Sequence, residues 1–154
     1  MKLIDLLGRH LKDDDVIRLL EDGDMQVVYQ FDRLQENSPD YYDSEDFSRG
    51  FALRFNADQI LHTVFCYAAR TDSFEPVDPD LVGVPLYESI AAAETAAREF
   101  GAKFVRKDGV QKMGRVVSWL RLERDDRLWH FQYSDNALTL VTLMLTNQSV
   151  VVLS

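Results

Sequence analysis

His62 and Cys66 bring together an imidazole and the chain's single thiol, the pair that a cysteine nucleophile and its base require. Four residues apart on one extended strand, they stand about 13 Å from each other at roughly 3.3 Å per residue, far beyond hydrogen-bond reach. A packed histidine, and a cysteine acting as a small buried hydrophobe between Phe65 and Tyr67, account for the two better. Asp13-Asp14-Asp15 place three carboxylates in a row, which invites a metal ion. Consecutive helical residues point in different directions, however, and the run lacks the alternating ligands and sixth-position glycine of a calcium loop. An N-cap followed by acids in a first helical turn explains it better, because these side chains meet orphan amides and the positive end of the helix dipole. The three histidines are not clustered as metal ligands are. Glycine patterns that cradle phosphate, bind dinucleotides or present a nucleophile are absent from the sequence. The expectation is a non-enzymatic protein with no catalytic residue, metal or cofactor.

Two other sets of residues point to recognition. Trp119, Arg121, His130 and Gln132 alternate along two neighbouring strands, an aromatic anchor with a guanidinium, an imidazole and an amide on a rigid support. The competing account has Trp119 packed under a loop with Arg121 covering it. The second set lies in the stretch from Asp32 to Asp46, where six acids face the single Arg33 and surround exposed aromatics. Asp40, Tyr41, Tyr42, Asp43, Glu45 and Asp46 would steer a cationic partner and then supply contact area. A solvated loop that only keeps the protein soluble is the alternative.

The elements that must position these groups centre on Arg115 to Leu145, read as three antiparallel strands. Asp125-Asp126 and Asp135-Asn136 are two-residue connections that tolerate the left-handed backbone of a tight hairpin. With both loops two residues long, Leu122 faces Trp129, Leu120 faces Phe131, and Ser118 faces Tyr133. In the next hairpin Tyr133 faces Leu138 and Phe131 faces Leu140. These side chains share one apolar face, and the other face carries Trp119, Arg121, His130, Gln132, Thr139 and Val141. His130 then sits between Arg121 and Val141.

Earlier in the chain, Leu3, Ile4, Leu6, Leu7 and Leu11 make a helical stripe that Gly8 ends or loosens, and a second helix follows the three acids to Asp22-Gly23-Asp24. Met25 to Phe31 alternates as a half-buried strand, and Tyr41 to Phe47 is compatible with a short one. Phe51 to Phe55 and Ile60 to Tyr67 form a strand pair turning at Asn56 to Gln59, with His62 opposite Leu53. Arg70 to Pro85 reads as a proline-interrupted loop. Ser89 caps an alanine-rich helix that Gly101 stops, so that the helix can approach a sheet closely. A strand at Lys103 to Arg106 and a turn at Lys107-Asp108-Gly109 lead into the three-strand unit. Val150 to Leu153 is compatible with an edge strand.

With 154 residues, 46% hydrophobic content and two Trp, six Tyr and nine Phe, the chain can build one sizeable core. Its formal charge of -9 and pI of about 4.7 argue against nucleic acid or an anionic membrane as a direct ligand. The amino terminus meets an acid at Asp5 without the apolar run of a signal peptide, and no stretch has the apolar length of a membrane span. A single cysteine points the same way, to a reducing compartment, and the protein is expected to be cytoplasmic.

Aligning Phe51 with Trp129 sets Leu53 on Phe131, Phe55 on Tyr133, Asp58 on Asn136 and Ile60 on Leu138, so that two halves share a strand, a polar turn and a returning strand. Leu7-Gly8 and Phe100-Gly101 would end the helix ahead of each. The pattern suggests duplication, with halves at about 1–70 and 85–154 joined by a loop at 71–84 in a single domain. The strand pair Gly50 to Phe55 and Ile60 to Tyr67, the loop Leu81-Val82-Gly83-Val84-Pro85-Leu86, the Ser89-capped helix and the closing hairpin together resemble small bacterial proteins of the beta-lactamase-inhibitor-protein-like fold. That resemblance implies an α+β fold of two tandem helix-plus-antiparallel-sheet units with helices packed on one sheet face. It further implies an immunity or inhibitor protein that neutralises a bacterial toxin by binding it, with a protein partner and no catalytic residues; a homo-oligomer is compatible with the sequence. The alternative from another class is a small-ligand or lipid-binding domain with a pocket between sheet and helices.

Overall fold

In the computed structural model, which describes residues 1–32 and 37–146, both residues of each tight connection adopt positive φ: 53° and 60° at Asp125 and Asp126, 50° and 70° at Asp135 and Asn136. Short polar side chains tolerate this conformation, and it matches the right-handed twist of the strands it joins. The turns separate β6 (Arg115–Arg124), β7 (Arg127–Ser134) and β8 (Ala137–Leu145). Between β6 and β7 the register is the one read from the sequence, with Leu122 opposite Trp129, Leu120 opposite Phe131 and Ser118 opposite Tyr133.

The next hairpin departs from that reading after its first pair. Tyr133 faces Leu138, but a bulge shifts the register so that Gln132 faces Leu140 and Phe131 faces Val141. The extra residue is Thr139, whose hydroxyl donates to the Gln132 carbonyl at 3.1 Å and whose own carbonyl accepts from Ala68 N at 2.9 Å. One inserted residue exchanges the two sides of a strand. Val141 therefore belongs to the core and is fully buried, Leu140 stands on the other face, and His130 lies between Arg121 and Thr142.

The remaining strands are β1 (Val27–Gln30), β2 (Tyr41–Asp46), β3 (Phe51–Phe55), β4 (Leu61–Tyr67) and β5 (Lys103–Lys112). All eight form one antiparallel sheet in the order β1-β2-β3-β4-β8-β7-β6-β5. The chain thus makes two four-strand meanders whose last strands, β4 and β8, pair with each other. A second bulge at Arg54/Phe55 makes His62 the extra residue of β4, so Leu53 faces Val64 rather than His62. A third, between Lys107 and Val110, keeps β5 running through Asp108 and Gly109, where a turn was expected. Gly109 takes φ 70° there, and its N–H bonds the Ser118 hydroxyl at 3.2 Å. The turn itself falls at Met113-Gly114.

The helices follow their caps. Asp13 accepts from Asp15 N to start α1 (Asp14–Asp22), as the three-acid run predicts. Ser89 accepts from Ala92 N to start α3 (Ile90–Phe100), which Gly101 ends at φ 66°. Leu3–Leu6 is a single 3-10 turn rather than a longer helix. The helix that leads into β1 is α1, ending at Gly23, and not one ending at Leu7-Gly8. The proline-rich loop contains a short helix, α2 (Pro79–Val82), begun by Asp78 with Pro79 in its first turn. Leu3, Leu6, Val16, Val82, Ala93 and Ala97 join Phe51, Phe55, Leu120, Phe131, Val141 and Leu143 in one buried apolar cluster, and α3 lies against β5, β6 and β7. Arg33 to Glu36 and Val150 to Leu153 lie outside the described residues. Among the described residues no helix is long and apolar enough to cross a membrane.

Candidate protein-binding face

Alternation and register together define what the sheet shows away from that cluster. Tyr41, Asp43 and Glu45 of β2, Arg54 of β3, Thr63, Phe65 and Tyr67 of β4, Thr142 and Met144 of β8, His130 and Gln132 of β7, and Trp119 and Arg121 of β6 all project to this second face. Most of these side chains are half-buried by their neighbours, while Glu45 and Arg121 are exposed. The structure thus brings Trp119, Arg121, His130 and Gln132 onto one face with Tyr41, Asp43 and Glu45 of the acidic set. Four strand spacings of about 4.8 Å put roughly 19 Å between β2 and β7.

At the β6–β7 end, the Trp119 ring stacks on His130 with centroids 5.3 Å apart and planes at 27°. Burial lowers the His130 pKa and the neighbouring Arg121 guanidinium lowers it further, which holds the imidazole neutral. On the neighbouring strand β5 presents Lys107 opposite Trp119. The result is a flat aromatic pair beside cationic and amide groups.

At the other end, Arg54 organises the face. Its guanidinium forms paired hydrogen bonds to the Asp43 carboxylate at 2.8 and 3.2 Å. It also lies 4.3 Å from the Tyr41 ring centroid and 5.5 Å from that of Phe65. Arg54 was not singled out from the sequence. The signal was present in the alternation of Phe51-Ala52-Leu53-Arg54-Phe55, which directs Arg54 away from the apolar side. Phe65, Tyr67 and Met144, which join the two ends, carried no such signal.

The acidic stretch divides between the two faces because part of it is a strand. Tyr41, Asp43 and Glu45 reach the open face, whereas Tyr42, Ser44 and Asp46 point to the other side. Tyr42 packs on Tyr29 with centroids 4.9 Å apart. Asp40, just before β2, accepts from the Tyr29 hydroxyl and from Asp32 N. Asp46 is only 5% exposed, and its carboxylate accepts from Ser48 Oγ and Arg49 N, each at 3.0 Å, and from Arg49 Nε. Arg49 in turn bonds the Leu19 carbonyl at the end of α1. Burial works to raise the Asp46 pKa, but the Arg49 and Ser48 donors outweigh it and hold the carboxyl below its ordinary value. Asp46 is a clamp between β2 and α1 and not a group available to a partner.

The other candidate chemistries resolve into packing. Burial pushes the Cys66 thiol up to about 12, which leaves it protonated and unreactive. His62 is buried beside Thr63, with Nδ1 2.5 Å from Oγ1, and burial lowers its pKa. Among the described residues no group of three or more His, Cys, Asp or Glu side chains is placed to hold a metal ion.

Set against known protein families, curated proteins and solved structures, the chain matches none of them.

Proposed function

We propose that the protein is a non-enzymatic binding module that holds a protein partner on the open face of its sheet, acting as an immunity or inhibitor protein that neutralises a bacterial toxin in the cytoplasm. The observation that carries this reading is the composition of the face. Aromatic rings, a buried-edge arginine and exposed charges of both signs lie on a rigid antiparallel support, which is the chemistry of interface anchors. The description of the chain as two tandem helix-plus-sheet units, with helices on one sheet face, belongs to the same proposal. It draws support from the strand order, in which a helix precedes each four-strand meander and the two last strands meet.

Co-expression with the product of the adjacent reading frame tests the function. A stable complex that relieves toxicity and is weakened at least tenfold by Trp119→Ala is the expected result. Failure of the two products to associate removes the immunity reading.

A further inference from the structure

The two outer strands of the sheet are finished differently. β5 carries Lys103, Lys107 and Lys112 and is interrupted by the bulge at Asp108-Gly109, devices that keep an edge from pairing with another chain. β1 has neither. Its register on β2 runs without a shift, and from Met25 to Phe31 there is no charge and no proline. Val27, Val28 and Tyr29 are 36, 50 and 47% exposed. Among the described residues no strand pairs with the outer side of β1. On the open face, a groove of about 530 Å³ runs beside it, lined by Asp24, Gln26, Val28, Gln30, Asp43 and Glu45 among others.

We infer that the outer edge of β1 docks an extended strand of a cationic partner, one in which basic and apolar residues alternate. Main-chain bonds to β1 supply the affinity, and the period of two supplies the specificity. Side chains of the added strand on the groove side meet the carboxylates of Asp24 and Glu45, so they are basic. Those on the opposite side lie next to Val27 and Tyr29, so they are apolar. A second copy of the chain is a poorer occupant. Two molecules of formal charge -9 repel, and two-fold pairing of β1 with itself brings each acidic groove towards its mate.

The inference deepens the binding reading above, and its test keeps the two apart. The probe is an end-capped octapeptide of alternating valine and lysine, titrated calorimetrically at low salt, with hydrogen exchange followed at the β1 amides. Saturation of one site, slowed exchange at β1, and at least tenfold weakening by Val28→Lys and by Glu45→Lys without a change in Tm are expected. Equal binding of a block peptide of four valines and four lysines overturns the inference, as does full affinity of Val28→Lys. Concentration-dependent dimerisation of the unaltered protein, abolished by Val28→Lys, assigns the edge to a second copy and also overturns it. If the adjacent gene product binds Val28→Lys normally but loses Trp119→Ala, the face reading stands and the edge inference fails. If the peptide behaves as expected while that product does not bind, the edge stands and the immunity reading fails.

Discussion

Phe131 and His130 are consecutive on β7, yet they inhabit the two sides of the sheet. Phe131 is fully buried between Leu120 and Val141, with the Tyr87 ring against its edge at 5.3 Å. His130 lies between Arg121 and Thr142 under the Trp119 ring. The first side is nearly all apolar and closed over by helices and loops, and the second mixes rings with charges and remains half open. The difference teaches that one set of strands can carry stability on one side and recognition on the other, because alternation separates the two residue sets completely. Substitutions on the two sides should then separate folding from binding.

The largest effect is expected from Phe131→Ala, which leaves a cavity in the closed side and should cost about 3–5 kcal/mol, read as a lowered denaturant midpoint at unchanged slope. A midpoint equal to that of the parent would mean that the closed side is not the core. Asp46→Asn comes next. It leaves Arg49 without its buried counter-charge and should cost about 1–3 kcal/mol, whereas Glu45→Gln, one residue away on the open side, should stay within about 0.5 kcal/mol. The Asp46 contribution also has a pH signature. Its folded pKa lies below the ordinary 3.8, so the stabilisation is present above that pH and is lost as pH falls through the folded value. Acid unfolding monitored by circular dichroism should therefore shift to lower proton concentration in Asp46→Asn.

Trp119→Ala should cost only about 1 kcal/mol of folding stability while removing the stacked ring from the open face and at least nine-tenths of partner affinity. If thermal unfolding instead finds it as damaging as Phe131→Ala, the open side is part of the core and the comparison collapses. The smallest effect belongs to the two imidazoles His62 and His130. His62 and His130 both have folded pKa values below the ordinary 6.5, so the unfolded chain takes up protons first. Stability should hold above pH 6.5 and decline as pH falls from there towards the folded values. The double variant His62→Gln with His130→Gln should flatten that decline in denaturant titrations between pH 7 and 5.

Local chemistry made part of this architecture legible. The pairs Asp125-Asp126 and Asp135-Asn136 announce their own turns, because few residues accept positive φ, and a two-residue loop fixes the pairing beside it. For the same reason Asp13, Ser89 and Gly101 could be assigned as helix ends: a cap is a contact between neighbours in the chain. The residues Trp119, Arg121, His130 and Gln132 followed from the first hairpin alone. What the sequence could not settle were distances between elements. Thr139 bulges because its carbonyl is taken by Ala68, 71 positions away in the chain, and that contact moved Val141 inward and Leu140 outward. Asp46 looks like any other acid in its run until Arg49 and the end of α1 close around it. The pairing of β4 with β8 unites the acidic and the cationic ends of the open face, and among the described residues β1 is the outermost strand on its side of the sheet. The bulge, the β4–β8 pairing and the place of β1 depend on non-local backbone bonds, whose partners are chosen by the packing of the whole sheet and leave no mark in the pattern of any single segment, while the Asp46 clamp is closed by the Arg49 side chain reaching the Leu19 carbonyl.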